Sequence, residues 1–357
     1  MAGGQLVLLG KPFGGVVGVP GSVLGYLALA AAVLGTATAL LCVWRIRLSL
    51  QIASASGVLA GLAILVAGVA DTVAVFTIAI LLAGAAVGPL LVAGRALAAD
   101  LGGASSVFGN AAAVTGVAAA AWLGGRYYEE PGTGLIIAGV LTAFFGASAG
   151  LLGRRGVDSN SPAQPMRFGI PARTILAGYA ETGLAVGGTV LPALHLLLFR
   201  WNEFGVEQLT WLLFAAAPAA VAVVFPGRKQ AGVPVLVVLA AGGALLVATA
   251  PGPVTLTIGL AVIMLAAARA VAALDEAIWA SVPHRDKGVT AAVGAIVVAI
   301  TGIAGLGLVD LLGRLVGTGS ALSVLAGCVL IAVLLFSRPG RQPRPDAGGS
   351  SIERGRQ

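Results

Sequence analysis

Glu181, Gly188 and His195 recur at intervals of seven inside one long apolar run, residues 174–199. Seven residues turn a helix through nearly two full turns, so a helix here would carry all three on one face. Pro192 falls on the same face and Thr189 at its edge. Ionisable groups at membrane depth cost a few kcal/mol each, so each marks candidate chemistry. Glu181 lies about 10 Å in from one end of such a helix, at 1.5 Å per residue. A carboxylate at that depth is a candidate proton carrier or part of a substrate cavity, and a structural hydrogen bond between helices is the plain alternative. His195 lies near the other end, in reach of the interface, and Thr189 can bond the carbonyl of its own helix. Arg269, inside the run 253–273, could anchor an anionic group or pair with Glu181. Arg95, near the end of the run 72–97, has the same choice of a cavity role or of reaching to the interface. Asn110 could hydrogen-bond between helices. Asp310 and Arg314 are spaced as an i, i+4 ion pair.

Other chemistries are excluded by type and spacing. The only lysines are Lys11, Lys229 and Lys287, and none stands in a G-x-x-x-x-G-K-[ST] sequence, so no nucleotide-binding P-loop is present. Cys42 and Cys328 lie far apart in apolar runs without nearby His or acidic partners, so there is no metal or haem motif and no cofactor is expected. No cluster of His and acidic residues converges as an enzyme site would require, so catalysis is not expected.

The elements that must hold these residues follow from composition. Apolar residues make up 58% of the chain and charged residues 10%, with a mean hydropathy of +1.01. Soluble proteins average roughly 45–50% and 25%. The excess cannot be hidden in a core, so the chain reads as an all-α integral membrane protein. Crossing the bilayer takes roughly 20 apolar residues per helix. Eleven runs meet this: 21–44, 49–70, 72–97, 106–125, 132–152, 174–199, 209–225, 232–250, 253–273, 288–313 and 319–336. None alternates with period two, which argues against a β-barrel. Residues 5–19 are apolar but short, and contain Lys11 and Pro12, so they read as a broken or interfacial segment.

Charge then sets orientation. With eleven spans, 16 of the Lys and Arg residues fall on one side, 4 on the other, and Arg269 inside a span. Basic residues in short loops stay cytoplasmic. The C-terminus is therefore expected in the cytoplasm of a multi-pass protein of the cell membrane. The net charge of +7 marks topology, not nucleic-acid binding. The basic, Pro-containing loop 153–173 divides an N-terminal lobe (21–152, five spans) from a C-terminal lobe (174–336, six spans). The segment 1–20 precedes them, and the tail 337–357, rich in Pro, Gly, Ser and Arg, is expected to be disordered.

Short motifs refine this reading. GVAAAAWLGG, with Gly116, Ala120, Ala121, Gly124 and Gly125, resembles the G-x-x-x-G-P-x-x-G-G motif of antiporters of the major facilitator superfamily, with Ala-Ala in place of Gly-Pro. AGAAVGPLLVAGRALAADL resembles that family's fourth helix and following loop, PGRKQAG its second-half basic loop, and SVPHRDKGVTAAVGA the entry to its eleventh helix. The resemblance covers most of residues 21–336. It implies that the eleven spans match helices two to twelve, with the first helix reduced to residues 5–19 or lying upstream. It implies too that the helix bearing Glu181 is the cavity-lining seventh. WRIRLSLQ keeps Arg45 and Arg47 of the first-half basic loop but lacks its Asp and glycines.

Gly183 and Gly187 form a G-x-x-x-G packing face, and Gly116, Gly124 and Gly125 of the antiporter-like motif are expected to pack between helices too. Residues Asp275, Glu276, His284, Arg285, Asp286 and Lys287 read as a salt-bridged loop on the gating side. The function expected is secondary transport of a small molecule, of apolar or weakly polar character, by proton-coupled export. A membrane subunit of an ATP-driven complex or a non-transporting scaffold is the alternative. The expected partners are the solute, protons and the lipid bilayer.

Overall fold

The computed structural model describes residues 10–45, 50–101, 116, 119, 122–123, 126–127, 129–153, 169–200, 214–215, 217–219 and 232–336. Most of the spans 106–125 and 209–225, most of the central loop, and the tail fall outside the described residues, as do Asn110, Gly124 and Gly125.

Long apolar sequences form most of the described helices, and Pro89 lies within one of them. These are α1 (Gly10–Val17), α2 (Gly21–Arg45), α3 (Leu50–Gly68), α4 (Val73–Leu101), α5 (Pro131–Gly153), α6 (Ile170–Arg200), α7 (Val233–Ala248), α8 (Pro253–Ser281), α9 (His284–Val316) and α10 (Thr318–Phe336). Six of the described helices are long and apolar enough to cross a membrane. Their outer faces are apolar: Ile78, Leu62, Phe144, Phe145 and Ile258 are all more than half exposed. Such a surface is stable only against lipid, and the chain is a multi-pass membrane protein.

Helix ends sit at glycine and proline. Gly18 closes α1 and Gly317 closes α9, both at positive φ (75° and 88°), where a side chain would be strained. Pro253 opens α8. Residues Val282 and Pro283 alone separate α8 from α9. Two expectations are corrected here. The ninth span does not stop near 273, because nothing in ALDEAIWAS breaks a helix before Pro283. Asp275 and Glu276 are therefore helical, not in a loop, and His284, Asp286 and Lys287 begin α9. The Lys287 ammonium lies 4.9 Å from the centre of the Trp279 ring and ties the two helix ends together. Within the segment 5–19, the described part is the single eight-residue helix α1. Its Phe13 is buried, with its ring 5.8 Å from that of Phe76 at the start of α4.

Small residues set the packing. A Cβ built on Gly61 of α3 would lie 2.3 Å from the Ala143 nitrogen of α5, and one on Gly68 would lie 2.9 Å from the Gly132 oxygen. The two backbones touch, running antiparallel. Gly35 of α2 meets Gly84 and Gly88 of α4 in the same way, and these helices are parallel. Thr38 adds an interhelical hydrogen bond to the Ala85 carbonyl at 2.8 Å. In lipid such contact replaces hydrophobic burial as the force between helices. Helix α3 packs on α4 and α5 in one lobe, and α7 packs on α8 and α10 in the other. Helix α6 lies along α9, with Gly183 and Gly187 pressed on Val298, Thr301 and Gly302. The lobes meet where α9 crosses α2 and α4.

Candidate functional site

The seam between the lobes is apolar along much of its length. Ala39 of α2, Val92 of α4, and Ala292 and Ile296 of α9 form one buried cluster across it. One turn from Val92, α4 presents Arg95 to the opposite lobe. Its guanidinium donates twice to Asp275 of α8, from Nη1 to Oδ2 at 3.1 Å and from Nη2 to Oδ1 at 2.9 Å. Side-chain exposure is 21% for Arg95 and 8% for Asp275, so both charges are largely removed from water. A bidentate fork of this kind fixes geometry as well as charge.

A third group completes the site. Tyr179 of α6 is fully buried, and its hydroxyl donates to Asp275 Oδ1. Its ring lies against Gly294 of α9, where a Cβ would come within 2.7 Å of Tyr179 Cε2. Leu274 fills the space over Gly178, one residue before Tyr179. Four helices from both lobes thus converge on one carboxylate. All four come together at the end of the bundle where α4 and α8 finish and α6 and α9 begin, the end to which the sequence assigns most of its basic residues and so called the basic end here. At the opposite end of the seam, Arg314 of α9 donates to the Tyr26 hydroxyl of α2 at 2.6 Å and to Asp310 at 2.7 Å. That ion pair has the i, i+4 spacing read from the sequence, and it is more than half exposed.

The residues singled out from the sequence fall in several places. Glu181 is half-buried on α6 and makes no hydrogen bond or ion pair with another described residue. Arg269 is half-buried on α8. Glu181 stands two residues from Tyr179, which is about 200° around the helix. Tyr179 points at the seam, so Glu181 faces away from it. Gly188, on the face of Glu181, is covered by Leu325 of α10, whose Cδ2 lies 2.2 Å from a built Cβ. That stripe therefore packs into its own lobe at Gly188 instead of forming an open cavity wall. Periodicity identifies a shared face but not the neighbour it meets. Thr189 is buried and donates to the Ala185 carbonyl at 2.6 Å. The backbone of His195 is helical; its side chain lies outside the described residues. Gly116 meets no described atom within 4 Å.

Arg95 is neither reaching to the interface nor lining a cavity alone: it bridges lobes. Asp275 and Tyr179 were not recognised as its partners in the sequence. The signal for Asp275 was the absence of a breaker before Pro283, which places its carboxylate on a helix. Tyr179 carried no signal, since a tyrosine in an apolar helix is ordinary packing. Among the described residues no group of three or more His, Cys, Asp and Glu side chains could hold a metal ion.

No protein-family model matches the sequence, and no curated protein matches it. Among solved structures, the fold is similar to that of the human organic anion transporter MFSD10 (TETRAN), with a TM-score of 0.66 over 94% of this chain and 97% of that one. Sequence identity is 16%, so the likeness is one of fold. That likeness agrees with the two-lobed, major-facilitator-like fold expected from the sequence motifs.

Proposed function

We propose that this chain, built on the fold of major facilitator transporters, is a secondary active transporter of a small organic solute. We assign Arg95, Asp275 and Tyr179 as the latch that closes its basic, cytoplasmic end. The observation that carries this reading is the bidentate ion pair between α4 and α8. It joins two lobes whose remaining described contacts along the seam are mostly apolar and small. A buried pair across a moving seam suits a gate. It is strong when assembled, and its loss exposes two charges that water can then solvate. Alternation between ends needs only rigid rocking of the lobes.

Proton-coupled export is the direction and coupling that we assign. Glu181 is a half-buried carboxylate at membrane depth with no hydrogen bond or ion pair to another described residue, and it stands on α6, the helix that also carries Tyr179. Its change of charge would act on the latch helix from the side facing away from the seam. The described spans hold few charges, which favours an apolar or weakly polar solute. The organic anions named for the structural neighbour extend the set of probes to test.

The experiment is uptake of lipophilic dyes and organic anions into everted vesicles or proteoliposomes. Arg95→Ala and Asp275→Ala should each impair concentrative transport of a responsive probe, and the swapped pair Arg95→Asp with Asp275→Arg should restore part of it. Transport that is indifferent to all three variants would reject the latch.

A further inference from the structure

Helix α9 touches the opposite lobe towards both of its ends. Near its start, Ala292 and Ile296 belong to the buried cluster that spans the seam. Near its finish, Arg314 donates to the Tyr26 hydroxyl of α2 at 2.6 Å. From Ile296 to Arg314 is five full turns at 3.6 residues each, so the two leave α9 on one face. Gly307 stands two turns before Arg314, within about 20° of the same direction. It is exposed, and a Cβ built there would meet no described atom within 4 Å. The face that α9 turns to the opposite lobe is thus in contact at either end and open at Gly307 between them. The Tyr26 contact is a closure of its own, not the continuation of one packed seam.

Its chemistry differs from that of the basic end. Tyr26 is neutral and 56% exposed, and the side chains of Arg314 and Asp310 are 60% and 56% exposed. Arg314 Nη2 donates both to Tyr26 and to Asp310, one turn back on the same helix. When the lobes part at this end, Tyr26 leaves and Asp310 stays. Arg314 keeps its counter-ion, and water takes the place of the tyrosine as acceptor. Contacts this exposed are weak, because water competes for each group. The i, i+4 pair meanwhile restrains the guanidinium, so the contact can form again when the lobes return.

We propose that Tyr26 and Arg314 form a second, easily released latch that shuts the far end of the seam, with Asp310 as the positioning residue that keeps Arg314 aimed across it. The proposal rests on the rocking of two lobes assigned above and adds the closure of the end that the buried fork does not reach. Breaking this contact should favour the state open at the far end. With rigid lobes, that is the state in which the basic end is shut.

The test reads both ends in the full chain with spin labels. Val73 at the start of α4 and Val316 at the end of α9 are exposed at the far end, and Gly94 of α4 and Ala280 of α8 at the basic end. Each pair is introduced separately, after Cys42 and Cys328 are replaced by Ala and Ser. Distance distributions in nanodiscs then give open and closed populations. Tyr26→Phe keeps the ring and removes the acceptor. It should raise the open-to-closed ratio at the far end about threefold, the size expected for one exposed contact, and lower that ratio at the basic end. Arg314→Ala should act alike, and Asp310→Asn more weakly in the same direction. Arg95→Ala should move both pairs the opposite way. A contact that merely tidies the helix ends would, when lost, broaden the far-end distances and leave the basic end unmoved. That result, or no change at either end in Tyr26→Phe, overturns the far-end latch and leaves the buried fork standing. If neither Tyr26→Phe nor Arg95→Ala alters any distance, the rocking of the lobes is wrong.

Discussion

Arg95→Ala, Asp275→Asn and the double change Arg95→Ala with Asp275→Ala should separate a buried ion pair from a decorative one. In Arg95→Ala the carboxylate, 8% exposed, loses both hydrogen bonds of the fork and keeps that of the Tyr179 hydroxyl. Breaking a buried ion pair by removing one partner costs about 3–5 kcal/mol. In Asp275→Asn the charge that loses its counter-ion in the fork is Arg95. It is 21% exposed and has a long stem that can carry the guanidinium to water, so the cost should be smaller, about 1–2 kcal/mol. The double variant strands no charge and should cost less than Arg95→Ala alone, with a coupling of about 2 kcal/mol in a double-mutant cycle. Cys42 is buried, so its reaction with a thiol-reactive dye reports loss of packing once the exposed Cys328 is replaced by Ser. Unfolding of the four proteins in detergent, followed by that dye, gives the ranking. Should Asp275→Asn prove as costly as Arg95→Ala, or the double change the worst of the three, burial does not govern this pair and the argument fails.

Glycine packing gives a contrast within one experiment. Gly61→Ala places a methyl 2.3 Å from the Ala143 nitrogen and should destabilise by about 1–3 kcal/mol or prevent assembly, whereas Gly25→Ala, at an exposed position of α2 with no described atom within 4 Å, should be tolerated in the same dye assay. Glu181→Gln should leave abundance nearly unchanged, weaken transport driven by a proton gradient, and spare solute-for-solute exchange; an unaltered response to the gradient would make Glu181 structural. Reporter fusions after Arg155 and after Arg338 should both report the cytoplasm, and an external signal from either would reverse the orientation.

Composition determined that this chain lies in a membrane, and long apolar runs without period-two alternation determined that it is helical. A hydropathy of this size leaves lipid as the only stable surroundings, and lipid demands that each span satisfy its own backbone. Glycine spacing was equally legible where it is local, as at Gly183 and Gly187, because close approach needs nothing but a missing side chain. Span ends were less so: the ninth helix runs on to Ser281 because polarity at Asp275 and Glu276 does not stop a helix, whereas Pro283 does. Pairing across the lobes could not be read at all. Arg95 and Asp275 are 180 residues apart, and no periodicity relates them. Which face of α6 meets the seam was hidden for the same reason. Helical spacing groups Glu181 with Gly188 and leaves Tyr179 nearly opposite, but it holds no information about the neighbour on either side. Only the packing of α6 against α8, α9 and α10 decides that Tyr179 meets the ion pair and Gly188 meets Leu325.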